Sequence, residues 1–198
     1  MDSKDIREFD KEIYTQLDTV DHNIVYSGNK IKRAVIKMAY VNIEPIIQYS
    51  SDELLYVCVM NGAVQLFCNV TKLLPPAYCH YIRASSYHEN EQSSEVKIIQ
   101  PTDMYLAADI KQIIIFDDIC DSGKTLQAVV KYYQNTYPNT AITTAVLLHR
   151  LRDDAIYKPN FAAIQTDSTE WFAGYGLDNK GKDRTLDYIY SIPQDIGG

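Results

Sequence analysis

Residues 113–125 read IIIFDDICDSGKT. The apolar run from Gln112 to Phe116 is too short for a helix and fits a strand covered on both faces; it ends in two adjacent acids, Asp117 and Asp118. A turn of small residues follows and opens a helix at about Gly123 to Thr125, on which Leu126, Val129, Val130 and Tyr133 recur at amphipathic spacing. Backbone N–H groups at such a turn, the helix dipole and the Ser122 and Thr125 hydroxyls together suit a phosphate dianion. Carboxylates at the strand end are placed to accept hydrogen bonds from a sugar diol. A metal site or an ordinary helix cap would account for parts of the stretch. The Walker pattern is absent, because no glycine stands five residues before Gly123.

Outward from this unit the alternation continues. Ser27 or Asn29 can cap a helix over about 30–49, carried by Ile31, Ala34, Val35, Met38 and Val41. Leu54–Met60 reads as a second buried strand that stops at Asn61-Gly62, and Ala63, Phe67, Val70 and Leu74 mark a helix ending before Pro75-Pro76. Strands are predicted over 79–87 and 96–99, separated by the polar stretch HENEQSSE, which predicts a mobile loop over about 85–94. Residues 141–148 return as strand, with short strands near 161–164, 171–175 and 186–191. The first two dozen residues are acidic and weakly periodic, and read as an arm or an accessory strand and helix. Strands and helices alternating at this spacing predict an α/β fold with a mainly parallel central sheet and right-handed crossovers. Ligands of open α/β sheets lie beyond the carboxyl ends of the strands. That selects Met60-Asn61-Gly62, the stretch 116–125, and His149-Arg150.

The chain has 198 residues, 46% hydrophobic and 23% charged, with a net charge of −7. This length suits one domain. The acidic balance excludes generic nucleic-acid binding, whose affinity comes from Lys and Arg displacing counterions. Four cysteines without a CxxC pair, three of them in apolar surroundings, predict reduced thiols and a cytoplasmic protein. The N-terminal MDSKDIREFDKE has no apolar core, so no secretory signal is expected. The uncharged run 54–71 contains Asn61, Gly62, Gln65 and Asn69, so no membrane span is expected either.

The thirteen-residue stretch as a whole resembles the signature of the type I phosphoribosyltransferases: four apolar residues, two acids, two apolar residues, then D-[ST]-G-x-T, here IIIF-DD-IC-DSGKT. Three more segments resemble the hypoxanthine-guanine branch of that family. Tyr81-Ile82-Arg83-Ala84-Ser85-Ser86-Tyr87 is similar to the start of its active-site loop. Glu170-Trp171-Phe172-Ala173-Gly174-Tyr175-Gly176-Leu177-Asp178, with Arg184 six residues on, is similar to its purine-binding hood, and YKPNF at 157–161 to a run just upstream. The resemblance spans about 30–192. It implies a single domain over 1–198, with a core at about 28–150 and a small hood from about 151–198, joined by the N-terminal arm. The implied activity is transfer of a 5-phosphoribosyl group from phosphoribosyl pyrophosphate (PRPP) to a 6-oxopurine, in purine salvage, by a Mg²⁺-dependent homodimer or homotetramer.

The resemblance also implies residue roles. Asp117 and Asp118 hold the ribose hydroxyls near a Mg²⁺; Asp121 exchanges a proton with the purine N7; Ser122, Gly123, Lys124 and Thr125 cradle the 5′-phosphate. Asn61-Gly62 matches the pyrophosphate loop, where the family often has a cis peptide and carries Lys or Arg in place of Asn61. Arg83, Ser86, Tyr87 and Arg184 attend the pyrophosphate, Trp171 stacks on the base, the Phe172 main chain reads its edge, and Asp178 holds Mg²⁺. The family lysine that donates to the purine 6-oxo group falls on Arg150 when Leu147-Leu148 is the anchor, and on His149 when the count runs back from Tyr157; Arg150, the longer and always charged donor, is favoured. Two alternatives stand beside this reading: a relative with altered base preference, such as xanthine, and a non-catalytic PRPP-binding regulator.

Overall fold

The computed structural model describes residues 22–86, 96–99 and 109–192. Two sheets organise them. The larger has six strands in the order β4-β3-β2-β5-β6-β7: Val96–Ile99, Tyr78–Ser86, Leu54–Met60, Gln112–Cys120, Ala141–Arg150 and Phe161–Thr166. All its neighbours pair in parallel except the edge pair β3 and β4. Parallel strands are joined by crossovers that cover both faces, which is why β2 and the first half of β5 are continuous apolar runs rather than alternating ones.

One face packs under α1 (Gly28–Lys37) and α2 (Val64–Thr71) around Tyr56, Phe67, Phe116 and Leu147. The other packs under α3 (Lys124–Thr136) around Val57, Ile115, Val129 and Tyr133. Gln112 is buried in the sheet, and its Nε2 donates to the Ile46 carbonyl at 2.9 Å, tying the end of the first helical segment to β5.

The helix predicted over 30–49 is shorter and changes pitch. Ser27 caps α1, its Oγ accepting from the Lys30 N–H at 3.4 Å, but after Lys37 the chain winds as a π-helix over Met38–Ile43 and a 3₁₀ turn over Glu44–Ile46. The wider π turn rotates the later side chains relative to a 3.6-residue period. Val41, expected on the buried face, is therefore 60% exposed, while Ala39 and Ile43 are buried.

The smaller sheet is antiparallel, in the order β1-β9-β8: Asn23–Tyr26, Ile189–Ile192 and Trp171–Ala173. Part of the expected N-terminal arm is thus a strand pairing with the chain's last described segment. The expected core boundary at 150 falls one strand short, because β7 beyond it completes the large sheet through its pairing with β6. Of the four free cysteines, Cys58 and Cys120 are buried and Cys68 and Cys79 are exposed, so apolar neighbours in sequence overstated the burial of one. No helix among the described residues is long and apolar enough to cross a membrane; residues 54–71 are β2, a turn and α2.

Candidate active site

The carboxyl ends of β2, β5 and β6 converge on one side of the large sheet, and the loops leaving them touch. Asp117 is 4% exposed, within β5. Its Oδ1 accepts from the Asp118 N–H at 3.0 Å, and Asp118 Oδ1 accepts from the Ile119 N–H at 2.7 Å. Burial first, and the adjacent Asp118 charge second, hold the Asp117 carboxyl well above the usual carboxylate range. Burial also raises Asp118, against the opposing Ile119 N–H and the Arg184 cation. After Asp121 and Ser122, Gly123 takes φ +82° as the N-cap of α3; its Cα rests on Tyr157, whose carbonyl oxygen would lie 2.4 Å from any added Cβ. Only glycine meets both conditions. The Ser122 carbonyl accepts from the Ile156 N–H at 2.9 Å, so the loop after β6 braces this turn.

The loop after β2 lies against the two acids. The Met60–Asn61 peptide is cis, and a Cβ on Gly62 would fall 1.5 Å from Asp118 Oδ2. Contact this close is open to glycine alone. A Cβ on Gly176, from the hood segment, would in turn lie 2.0 Å from the Gly62 carbonyl oxygen. Arg184 holds that segment: its Nη1 donates to the Gly176 carbonyl at 2.7 Å and its Nη2 pairs with Asp178 Oδ1 at 2.9 Å. Asp178 Oδ2 accepts from the Gly181 N–H at 2.9 Å, and the Asp178 carbonyl from Trp171 Nε1 at 3.4 Å. Trp171 is 58% exposed, an open aromatic face rather than a core side chain.

Arg150, the last residue of β6, closes the ring. Its guanidinium donates to the Ser168 carbonyl, and through Nη2 to the Glu170 carbonyl at 3.0 Å; it stands 5.4 Å from the centroid of the buried Phe172 ring. Its Nε lies 3.4 Å from Asp121 Oδ1. His149 is buried beside its register partner Cys120, which packs on the α3 side, and burial lowers its pKa, with Lys158 adding to the effect. Of the two residues competing for one role, Arg150 therefore reaches the hood, Phe172 and Asp121.

Contact thus runs from Asp118 through Gly62, Gly176, Arg184 and Asp178 to Trp171, and from Phe172 through Arg150 to Asp121. Lys124 opens α3 and is exposed, Thr125 follows it, and Arg83 is the register partner of Met60. Ser86 ends β3; Tyr87 and most of the predicted mobile loop lie outside the described residues. Among the described residues no group of three or more His, Cys, Asp or Glu could hold a metal ion. A cleft of about 1060 Å³ along the flank of α3 reaches this neighbourhood only at Lys124, Ile156 and Tyr157.

Sequence reasoning missed the loop after β6. Arg152 Nη1 pairs with Asp121 Oδ1 at 3.0 Å, and Arg152 is itself held by both oxygens of Asp154 at 2.8 and 2.7 Å. Gln65 was missed too; its Nε2 donates to the Arg184 carbonyl at 2.6 Å. The only trace in the sequence is the charge cluster Arg150-Leu151-Arg152-Asp153-Asp154 directly after a predicted strand end.

A glycine turn opening a helix after buried acids at a parallel strand end, and a small antiparallel sheet beside them, are the parts the type I phosphoribosyltransferase resemblance called for. A family profile described as "Phosphoribosyl transferase domain" matches residues 22–180, and the chain belongs to that family. It is similar to human hypoxanthine-guanine phosphoribosyltransferase, with 24% identity over 148 residues, 70% of this chain and 67% of the human protein. Among solved structures, a hypoxanthine-guanine phosphoribosyltransferase from Bacillus anthracis matches with a TM-score of 0.73 at 23% identity, covering 86% of this chain and 98% of that one. A hypoxanthine phosphoribosyltransferase from Staphylococcus aureus matches at 0.72 and 21%, covering 86% and 90%. The fold is that of the type I phosphoribosyltransferases.

Proposed function

We propose that the protein transfers the phosphoribosyl group of PRPP to a 6-oxopurine, hypoxanthine or guanine, releasing pyrophosphate and forming a nucleoside monophosphate. The observation that carries this reading is the ring of contacts from the acids of β5 to the hood, with Trp171 open at one side and Arg150 beside Phe172 at the other. The bond from C1 of the ribose to pyrophosphate breaks, a purine ring nitrogen bonds to C1, and the proton on N7 passes to the Asp121 carboxylate. C1 becomes cationic on the way, and the Asp117–Asp118 pair supplies negative charge at the ribose. Backbone N–H groups of 122–125, with Lys124, face the 5′-phosphate.

The pyrophosphate end is the less basic one, since Asn61 stands where relatives carry a cation; Arg83 and Arg184 are the cations left to it. A Mg²⁺ ion fits as an ion that arrives with the substrate. Such an ion keeps waters and phosphate oxygens as ligands and needs one or two carboxylates from the protein, which Asp178 and the Asp117–Asp118 pair offer at separate points. When bound it neutralises leaving-group charge.

Arg150 favours a second possibility for the base. Its fork is engaged with two hood carbonyls, so the donor facing the purine differs from a mobile lysine, and xanthine becomes a candidate substrate. The test is nucleotide formation from PRPP and Mg²⁺ with hypoxanthine, guanine, xanthine and adenine in turn. Turnover with hypoxanthine or guanine is expected. Turnover with xanthine alone would move the reading to the altered-base relative, and tight PRPP binding without turnover on any base would leave a PRPP-binding regulator.

A further inference from the structure

Asp121 stands at the meeting point of two arginines, only one of which has a role so far. Both approach the same oxygen: Arg150 Nε lies 3.4 Å and Arg152 Nη1 3.0 Å from Oδ1. The hydrogen bond from Arg152 falls on this one oxygen, Oδ1. A carboxylate on a short side chain would otherwise rotate freely between staggered positions, and Asp121 is exposed enough to do so, with 47% of its side chain accessible. Arg150 is fixed by hood carbonyls and cannot follow the carboxylate.

Arg152 is built differently. It sits on the loop after β6, and Asp154 grips its guanidinium through both carboxylate oxygens, Nε to Oδ1 at 2.8 Å and Nη2 to Oδ2 at 2.7 Å. A bidentate pair of this kind fixes the plane of the fork, which leaves Nη1 aimed in one direction. The loop is itself anchored to the phosphate turn at three points: the Ile156 N–H to the Ser122 carbonyl at 2.9 Å, the Cys120 thiol to the Tyr157 carbonyl at 3.6 Å, and the close packing of Gly123 on Tyr157. Asp154, Arg152 and Asp121 therefore form a line of alternating charge running from the loop into the site.

We infer that Arg152 is a positioning residue for the transfer reaction. It immobilises Asp121 through one oxygen so that the other is presented to the purine N7 proton, and Asp154 holds Arg152 in place to do it. This inference rests on the proton-accepting role proposed for Asp121. Groups held in near-attack geometry gain rate from orientation alone, and a small misplacement is felt in turnover rather than in substrate binding.

The experiment measures steady-state kinetics with PRPP, Mg²⁺ and hypoxanthine, alongside PRPP affinity and thermal melts, for Arg152→Gln, Arg152→Lys, Asp121→Ala and the double variant Asp121→Ala/Arg152→Gln. For Arg152→Gln, kcat is expected to fall about tenfold, part of the span that acid–base catalysis contributes, with KM for PRPP and the melting temperature unchanged. An ion pair this exposed adds little to folding. Arg152→Lys should recover part of the loss, since it restores the charge but not the fork. In the double variant the Arg152 change should cost nothing beyond Asp121→Ala, because a residue acting through Asp121 has nothing left to position. Wild-type kcat in Arg152→Gln, or the full tenfold loss persisting on the Asp121→Ala background, would overturn the inference while leaving the role of Asp121 intact. Wild-type turnover in Asp121→Ala itself would remove both.

Discussion

The two halves of the site are built on opposite principles. On the β5 side, position is enforced by backbone: Asp117 is buried within a strand, Gly62 admits no side chain against Asp118, and Gly123 admits none against Tyr157. On the hood side, position is enforced by side chains: Arg184 spans the Gly176 carbonyl and Asp178, Arg150 holds the Ser168 and Glu170 carbonyls, and Trp171 stands mostly in solvent. The difference matches what each half would bind. Under the proposed function, phosphate and ribose are the same in every reaction, so a rigid cradle would serve them. The base is the variable part, and a face assembled from side chains can change without disturbing the sheet.

The sharpest way to break this contrast is Gly62→Ala. The added carbon would land on the Asp118 carboxylate, and something must move; displacements near 1 Å at a reacting site cost about a hundredfold in rate. Turnover is expected to fall by about that factor or more, with circular dichroism unchanged because the loop lies at the end of the sheet. Near-normal kinetics would show that the backbone on this side is not rigid. Trp171→Ala addresses the other half and should do less. Base stacking on an aromatic is worth about 1–3 kcal/mol, so KM for the base should rise on the order of tenfold while PRPP affinity stays put. A matching loss of PRPP affinity would mean that the halves are not separable.

The same division governs how much could be read from the sequence. Strands and helices of the core were legible because buried parallel strands are continuous apolar runs, and the stripe Ala63, Phe67, Val70 and Leu74, along α2 and its two flanks, is buried throughout. The convergence of Asn61-Gly62, Asp117–Thr125 and Arg150 followed from the strand-end rule together with the family resemblance. The π turn over Met38–Ile43 was not legible, since a single extra residue per turn leaves no compositional mark and only misplaces Val41. Nor was Arg152. Its contact with Asp121 spans 31 residues of sequence and depends on how the loop after β6 folds back on the Ser122–Gly123 turn. Periodicity reports burial along one element; it carries no information about which exposed charge meets which across two loops.

The smallest expected effect tests why the inner half is rigid at all. Asp117 is buried beside Asp118, and its carboxyl is held above the usual range by burial and by that neighbour. A carboxyl whose pKa is higher folded than unfolded binds its proton more tightly in the folded state. It therefore favours folding below the ordinary carboxylate range and loses that contribution as pH rises through the raised value. Asp117→Asn removes this titration while keeping an acceptor for the Asp118 N–H. Without ligand, the variant and the parent should melt together near pH 4. The variant should then gain as pH approaches 8, by ~1 kcal/mol or about 2–4 °C for a chain of this size, even as turnover is lost. A gap that does not widen with pH, or a variant that melts lower at pH 8, would mean that the paired acids cost the fold nothing. The rigidity of this half would then owe everything to the glycine contacts and nothing to the sheet holding two reluctant charges in place.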